Sequence, residues 1–230
     1  MTANNRHFAA AFFAAATALA PLAANATIAI AVPFDQKVEA ADAIVLGRCV
    51  KTHSQYDPTG RWILTYSTFA VEKSLKGTGQ QEITVVTPGG EVGGIRQSTV
   101  GVPTFDTGRE QVLFVRGTKL GPTVADFDQG AYDVVAEGSQ KIVRPVPSGA
   151  TRMDEQRGVV VEAEAAQPLA QFEGSVRAAI DRNAKNRMAL IEQRRIAEQS
   201  SISEVLKRNK LLVLLALVGA ALATWQLLRR

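Results

Sequence analysis

The run Glu82-Ile-Thr-Val-Val-Thr-Pro-Gly-Gly-Glu-Val-Gly-Gly-Ile-Arg96 constrains the fold more than any other stretch, because a β-branched segment stops at Pro88 and then passes through two glycine pairs. Valine, isoleucine and threonine suit a pleated strand, whereas proline cannot donate to a sheet ladder. Gly89, Gly90, Gly93 and Gly94 take positive φ without steric cost. The expectation is a strand running into a sharp corner, as in a small barrel or a strongly bent sheet.

Strand patterns flank the corner. Asp42-Ala-Ile-Val-Leu-Gly-Arg-Cys-Val-Lys-Thr52 reads as a first strand after a short helical lead at Lys37–Ala41, and its apolar density implies burial partly on both faces. Gln55-Tyr-Asp-Pro-Thr-Gly60 is turn chemistry, and Trp62–Glu72 alternates as a hairpin partner should. Glu110–Arg116 is another buried strand, Val92–Val100 a bent or broken one, and Ala131–Val135 with Lys141–Arg144 a final hairpin. Short strands closed by Gly, Pro, Asn or Asp indicate a mainly β fold, a small OB-like barrel or sandwich over residues 32–147. Residues 148–167 read as a loop with an extra strand at Val159–Glu162, and 168–210 as a helical stalk rich in Ala, Arg, Glu and Gln.

The apolar ends are addresses rather than core. Met1 to about Ala31 has the layout of a secretory signal peptide, with Arg6 ahead of an apolar run and small residues after Pro21. Cleavage is expected after Ala26, with Ala31 as the later alternative, and an uncleaved anchor is the competing reading. Leu211–Leu228 carries no charge, is flanked by Lys207, Arg208, Lys210 and Arg229-Arg230, and extends about 27 Å as a helix, close to the thickness of a bilayer core. It is expected to be one transmembrane helix that leaves the main domain outside the cytoplasmic membrane. Basic residues on both flanks prevent the positive-inside rule from deciding orientation alone.

Chemistry is sparse. Cys49 is the single cysteine, so no intramolecular disulfide forms, which suits a bacterial exported protein better than a small animal secreted module. His53 is the one imidazole outside the export segment, which leaves no cluster for a zinc site and no Ser-His pairing. Asp57, Glu91, Asp106, Glu110, Asp126 and Asp128 are candidates for a carboxylate pair, although their spacing does not bring any two together. The Gly89–Gly94 run lacks the Gly-Lys-Ser/Thr ending and following helix of a phosphate loop. A net charge of +4 does not imply nucleic acid in an exported chain whose basic excess lies beside the membrane. No cofactor is expected.

Ala41-Asp-Ala-Ile-Val-Leu-Gly-Arg-Cys-Val50 and Phe69-Ala-Val-Glu-Lys-Ser-Leu-Lys-Gly77 resemble the opening of netrin-like modules and tissue inhibitors of metalloproteinases. That resemblance implies an OB-type five-stranded barrel. The chain lacks the mature N-terminal cysteine through which the animal inhibitors chelate zinc, so no inhibitory residue carries over. Together with Pro88–Gly94 and Pro103-Thr-Phe-Asp-Thr-Gly-Arg-Glu-Gln-Val-Leu-Phe114, the pattern is also similar to exported bacterial proteins of OB-like fold with no assigned activity.

The reading that follows is a non-enzymatic, membrane-anchored, extracytoplasmic binding domain with a protein partner. Its partner-binding loop is Gly89, Gly90, Glu91, Val92, Gly93 and Gly94. The alternatives are an inhibitor or regulator of an exported protease, and an assembly factor whose helices pair through Gly219 and Ala223, a small-xxx-small arrangement. Removing residues 209–230 is expected to release the domain from carbonate-washed membranes. Retention in the membrane with Met1 still present would instead identify the N-terminal run as the anchor.

Overall fold

The computed structural model describes residues 27–77, 79–147 and 149–229, except the side chains of 201–203, 205–207, 211–213, 217, 222–223 and 226–227. The segment read as a signal peptide, residues 1–26, lies outside the described residues. The chain is mainly β. In order it forms β1 (Thr27–Ile30), α1 (Phe34–Ala40), β2 (Ala43–Tyr56), β3 (Ile63–Lys76), β4 (Glu82–Pro88), β5 (Gly90–Val92) and β6 (Ile95–Gln97). There follow β7 (Glu110–Thr118), β8 (Gly121–Val124), a 3-10 turn at Phe127–Gly130, β9 (Ala131–Glu137), β10 (Gln140–Pro145), β11 (Ala150–Met153) and β12 (Gln167–Pro168). Two helices, α2 (Leu169–Arg208) and α3 (Lys210–Leu228), complete the chain.

The main sheet has the order β12-β10-β9-β7-β2-β3-β4, with β8 paired to β7. β7 is central, and Glu110–Val115 are all buried because both faces of the strand are covered. Alternate residues of β2 and β7 divide between two cores. Ile44, Leu46, Val112 and Phe114 face α1 and α2, whereas Val45, Cys49, Leu113 and Val115 meet Phe69, Val85 and Phe105 inside the curl of the sheet. Register shifts in the β2–β3 ladder between Ile44/Val45, Leu46/Gly47 and Cys49/Lys51 bend the pair and produce that curl.

The expected barrel does not close. β4 and β8 come together, and Thr123 Oγ1 donates to Val86 O at 2.8 Å, but no ladder joins the two strands. The reason is local: β8 is only four residues long and includes Pro122, which has no N–H to offer.

The folded unit also runs past Pro147. β1 pairs in parallel with β11, and α2 buries Phe172, Val176 and Ala179 in the first core. There Phe172 meets Tyr132 at 4.8 Å and Phe34 at 5.6 Å in edge-to-face contacts. Outside this core, Arg182 grips Asp35 through two hydrogen bonds of 2.6 and 2.7 Å, and Arg187 pairs with Glu39. Lys76 closes the other end of α1, donating to Val38 O at 2.7 Å and Ala41 O at 2.6 Å, where helix carbonyls have no partners of their own. Gly77, at φ 80°, follows because a Cβ there would collide with Asp42 O. This is the physical content of the Leu75-Lys-Gly77 ending read in the sequence.

From Lys185 onward every described residue of α2 is exposed, including Met188 and Ile191. Among the described residues no helix is long and apolar enough to cross a membrane. Several positions of α3 fall outside that description, so a span at Leu211–Leu228 rests on its sequence. The division of α2 predicts that Phe172→Ala costs about 3–5 kcal/mol of stability. Met188→Ala should stay within about 0.5 kcal/mol of wild type, both measured by denaturant unfolding.

Candidate functional site

The glycine corner is where the sheet ends and a groove begins. β4 stops at Pro88, and Gly89 donates to Ile63 O at 2.8 Å while its own carbonyl accepts from Thr65 Oγ1 at 2.6 Å. Gly90, at φ 131°, lies against Ser54 and Thr65, leaving no room for a side chain. β5 and β6 then form a tight hairpin whose two-residue loop, Gly93-Gly94, has φ of 60° and 79°, the double positive φ that such turns require. The broken strand expected over Val92–Val100 is therefore a hairpin ending at Gln97, followed by irregular chain. Gln97 ties the hairpin down, accepting from Ile63 N at 2.7 Å and donating to Arg61 O at 3.2 Å. Glu91 pairs with Arg96 at 2.8 Å on the exposed side.

The segment after β6 crosses the mouth of the curled sheet. It is anchored by buried Phe105 against Phe69 at 5.2 Å, and by Gly101 O, which accepts from Asp128 N at 2.8 Å. Beneath it lie two hollows that meet at Thr87, Pro88, Val102 and Pro103. The smaller, about 350 Å³, is lined by the glycine corner and by hydroxyls such as Thr52, Thr65 and Ser98. The larger, about 510 Å³, lies between β1, Val100–Pro103, β8 and the 3-10 turn.

The larger hollow contains the one strained backbone stretch outside glycine among the described residues, Asp126 and Phe127 at φ 54° and 59°. Consecutive left-handed residues with side chains cost on the order of 1–2 kcal/mol each, and such strain concentrates at binding sites. Phe127 is 62% exposed at the lip. The Oδ2 atoms of Asp126 and Asp128 are buried without a hydrogen-bond partner among the described residues, while Asp128 Oδ1 is 3.6 Å from Arg152.

Behind this wall Lys37 is almost fully buried and donates to Gln129 O at 3.3 Å, to the Tyr132 hydroxyl at 2.5 Å and to Glu164. Tyr132 in turn donates to Glu164 Oε2 at 2.8 Å. Burial pulls the Lys37 ammonium below its ordinary pKa, against the opposing pull of Glu164. Burial, with Glu164 beside it, pushes the Tyr132 hydroxyl well above the usual range. Through this cluster the irregular chain at Glu164 is clipped to α1 and β9.

The sequence candidates separate. Of the six carboxylates, Asp126 and Asp128 line the larger hollow and Glu91 the smaller. Asp57 accepts from Arg61 N and Trp62 N in the β2–β3 turn, Asp106 pairs with Arg109, and Glu110 is held by Lys141 at 2.6 Å on the helix-covered face of the sheet. Cys49 is a buried free thiol, and His53 stacks on Tyr66 at 5.2 Å. Among the described residues no group of three or more His, Cys, Asp and Glu is arranged to hold a metal ion. Gly89, Gly90 and Glu91 line the smaller hollow, Gly93 and Gly94 form the hairpin tip, and Val92 precedes it. Gly219 lies on α3 with open space around it, while the side chain of Ala223 is outside the described residues. Sequence reading missed β1 as a wall, since its residues were assigned to the cleavage region, and it missed the contribution of Gln129. A four-residue apolar stretch carries no signal that separates these roles.

Gly90→Ala is expected to lose about 2–4 kcal/mol from backbone strain and overpacking, read as a lowered urea midpoint. Glu164→Ala should cost about 1–3 kcal/mol by leaving the Lys37 ammonium short of a partner, a figure held low because the carboxylate is partly open to water. A comparison with protein-family models, curated proteins and solved structures finds no match to this chain.

Proposed function

We propose that this chain is a non-enzymatic binding domain held outside the cytoplasmic membrane, which recognises another protein in the groove between the glycine corner and β1. The observation that carries this reading is the continuity of the two hollows across Pro88 and Pro103 beneath the 98–105 segment. Rigid strands supply the walls, and the strain at Asp126–Phe127 lies at the lip. A concave, mainly apolar site with a few polar groups is the usual form of a recognition surface. We read the open curl of β2, β3, β4, β8 and β7 as an OB-like barrel with one seam unzipped.

The address comes from the sequence. Leu211–Leu228 is uncharged and long enough to span, and the exposed part of α2 between Met188 and Arg208 adds about 30 Å of stalk between membrane and domain. β1 begins at Thr27, so cleavage after Ala26 preserves it whereas cleavage after Ala31 removes it. A second reading, inhibition of an exported protease, draws on the hairpin tip, where Ile95 is 57% exposed.

Placing a photo-crosslinking residue at Val102, Ile95 or Glu137 of the full chain in its own membrane tests both readings. Discrete adducts from Val102 but not from Glu137 are expected. Adducts confined to Ile95 that contain a protease would favour inhibition. The absence of any adduct at Val102, or the same adducts from all three positions, would overturn the groove.

A further inference from the structure

Resting on the binding-domain reading and deepening it, we propose that the open edge of β1 is a strand-addition site. It takes an extended, mainly apolar segment of another protein that carries a carboxylate, pairs with the main chain of Ile28 and Ile30, and lays alternate side chains into the 510 Å³ hollow.

Hydrogen bonds on either side of β1 fix the direction of that edge. β1 pairs on one side with β11, from Thr27↔Ala150 to Ile30↔Met153, and Ala31 N donates to Met153 O at 2.8 Å. Backbone groups of successive strand residues point to opposite edges, so Ile28, Ile30 and Val32 direct theirs away from β11. The first step along that edge is already filled. Gln129, 7% exposed, donates from Nε2 to Ile30 O at 2.9 Å and accepts from Val32 N at 2.9 Å. Its side-chain amide thus stands where the peptide group of a neighbouring strand would stand. The next step, Ile28 C=O and Ile30 N–H, has no partner among the described residues.

Thr27, Ile28, Ala29 and Ile30 all line the hollow, and Ile28 and Ile30 are 60% and 48% exposed. Native proteins protect such edges with charge, proline or a bulge, and Thr27-Ile-Ala-Ile30 has none of these. The far edge of the small sheet is closed, because Val161 N donates to Arg152 O at 2.9 Å and Met153 bridges Val160. β1 is therefore the side left open for addition, where main-chain bonds supply affinity and pockets for alternate side chains supply selectivity. Charge narrows the occupant further. Asp126 Oδ2 is buried and Asp128 is engaged by Arg152, whereas Arg116 on the same wall is exposed with no ionic partner among the described residues. Arg116, on β7, is the exposed cation of the lining and complements a carboxylate placed beside it.

The test uses the full mature chain in detergent and a fluorescent heptapeptide of alternating valine and threonine ending in a free carboxylate. Four further peptides accompany it: the amide-capped form, two N-methylated forms that each block one alternating set of backbone amides, and a scrambled glycine-rich control. Expected is saturable binding below about 1 mM, lost at least about tenfold by one N-methylated form and retained by the other. Hydrogen exchange at the Ile30 amide should slow on binding, while Ala29 and Ala31, already bonded to β11, do not change. Ile30→Pro removes the Ile30 donor, leaving that of Ile28, and should weaken binding about tenfold at an unchanged thermal midpoint. Arg116→Gln should weaken the carboxylate peptide about fivefold and leave the amide-capped form alone.

Equal binding of both N-methylated forms, or an Ile30 amide unchanged by peptide, overturns strand addition whatever the behaviour of the proline variant. Full displacement of the peptide by anionic vesicles would reassign the edge to a lipid surface. If cross-links from Val102 are obtained while no peptide binds by about 1 mM, the binding domain stands and this edge is not its contact.

Discussion

The structure depends on the two-sided burial of β7. A strand whose residues from Glu110 to Val115 are all hidden must be covered twice, and the chain meets that demand by different means on each face. Helices α1 and α2 cover one face with Phe34, Phe172 and Val176. The sheet covers the other with itself, curling through the bulged β2–β3 ladder so that Phe69 and Val85 face Leu113 and Val115. The curl stops short of closure at β8, and the 98–105 segment with Phe105 covers the gap. The groove is a consequence of that incomplete closure.

Two buried charges lie on the helix-covered face of the sheet. Glu110, in step with Val112 and Phe114 along β7, is held by Lys141 at 2.6 Å and flanked by Arg48 at 3.4 Å, so the first residue of β7 is satisfied across three strands. Beside α1, the Lys37 ammonium is satisfied by a main-chain carbonyl, a phenol and Glu164. A buried cation in that setting stabilises little by itself, but it selects one position for the partners that must surround it. The chain between β11 and β12 has little secondary structure, and Glu164 holds it against α1 and β9. Gln129 connects this cluster to the groove, since its carbonyl meets Lys37 and its side-chain amide meets the edge of β1.

Strain marks the same end of the molecule. Asp126 and Phe127 are held in the left-handed region although neither is glycine, and Gly130, three residues on, lies so close to Ala125 O that a Cβ would collide. The turn is over-determined by its neighbours: Asp128 N is fixed by Gly101 O and Val32 N by Gln129. A lip maintained at this cost presents Phe127 to solvent, which burial alone would not favour.

Local chemistry determined much of this protein. Apolar and β-branched runs located β2, β4, β7 and the β9–β10 hairpin, and period-two alternation located β3, since strand patterning depends on neighbours in sequence. Positive φ at Gly89, Gly90, Gly93 and Gly94 was legible because only glycine takes it freely, and Lys76-Gly77 was legible as an ending before its role as the cap of α1 was visible. The uncharged run Leu211–Leu228 is likewise a property of the chain alone. Tertiary structure decided the rest. β1 became a strand only because β11, more than a hundred residues away, offers it a ladder, and four residues without that partner have no reason to be extended. Whether the barrel closed depended on a proline meeting an edge, and the groove depended on Gln129, Asp126 and Phe127 arriving beside Ile28 and Ile30. Those contacts span distances in sequence over which neither periodicity nor spacing carries information, because chain folding alone brings them together.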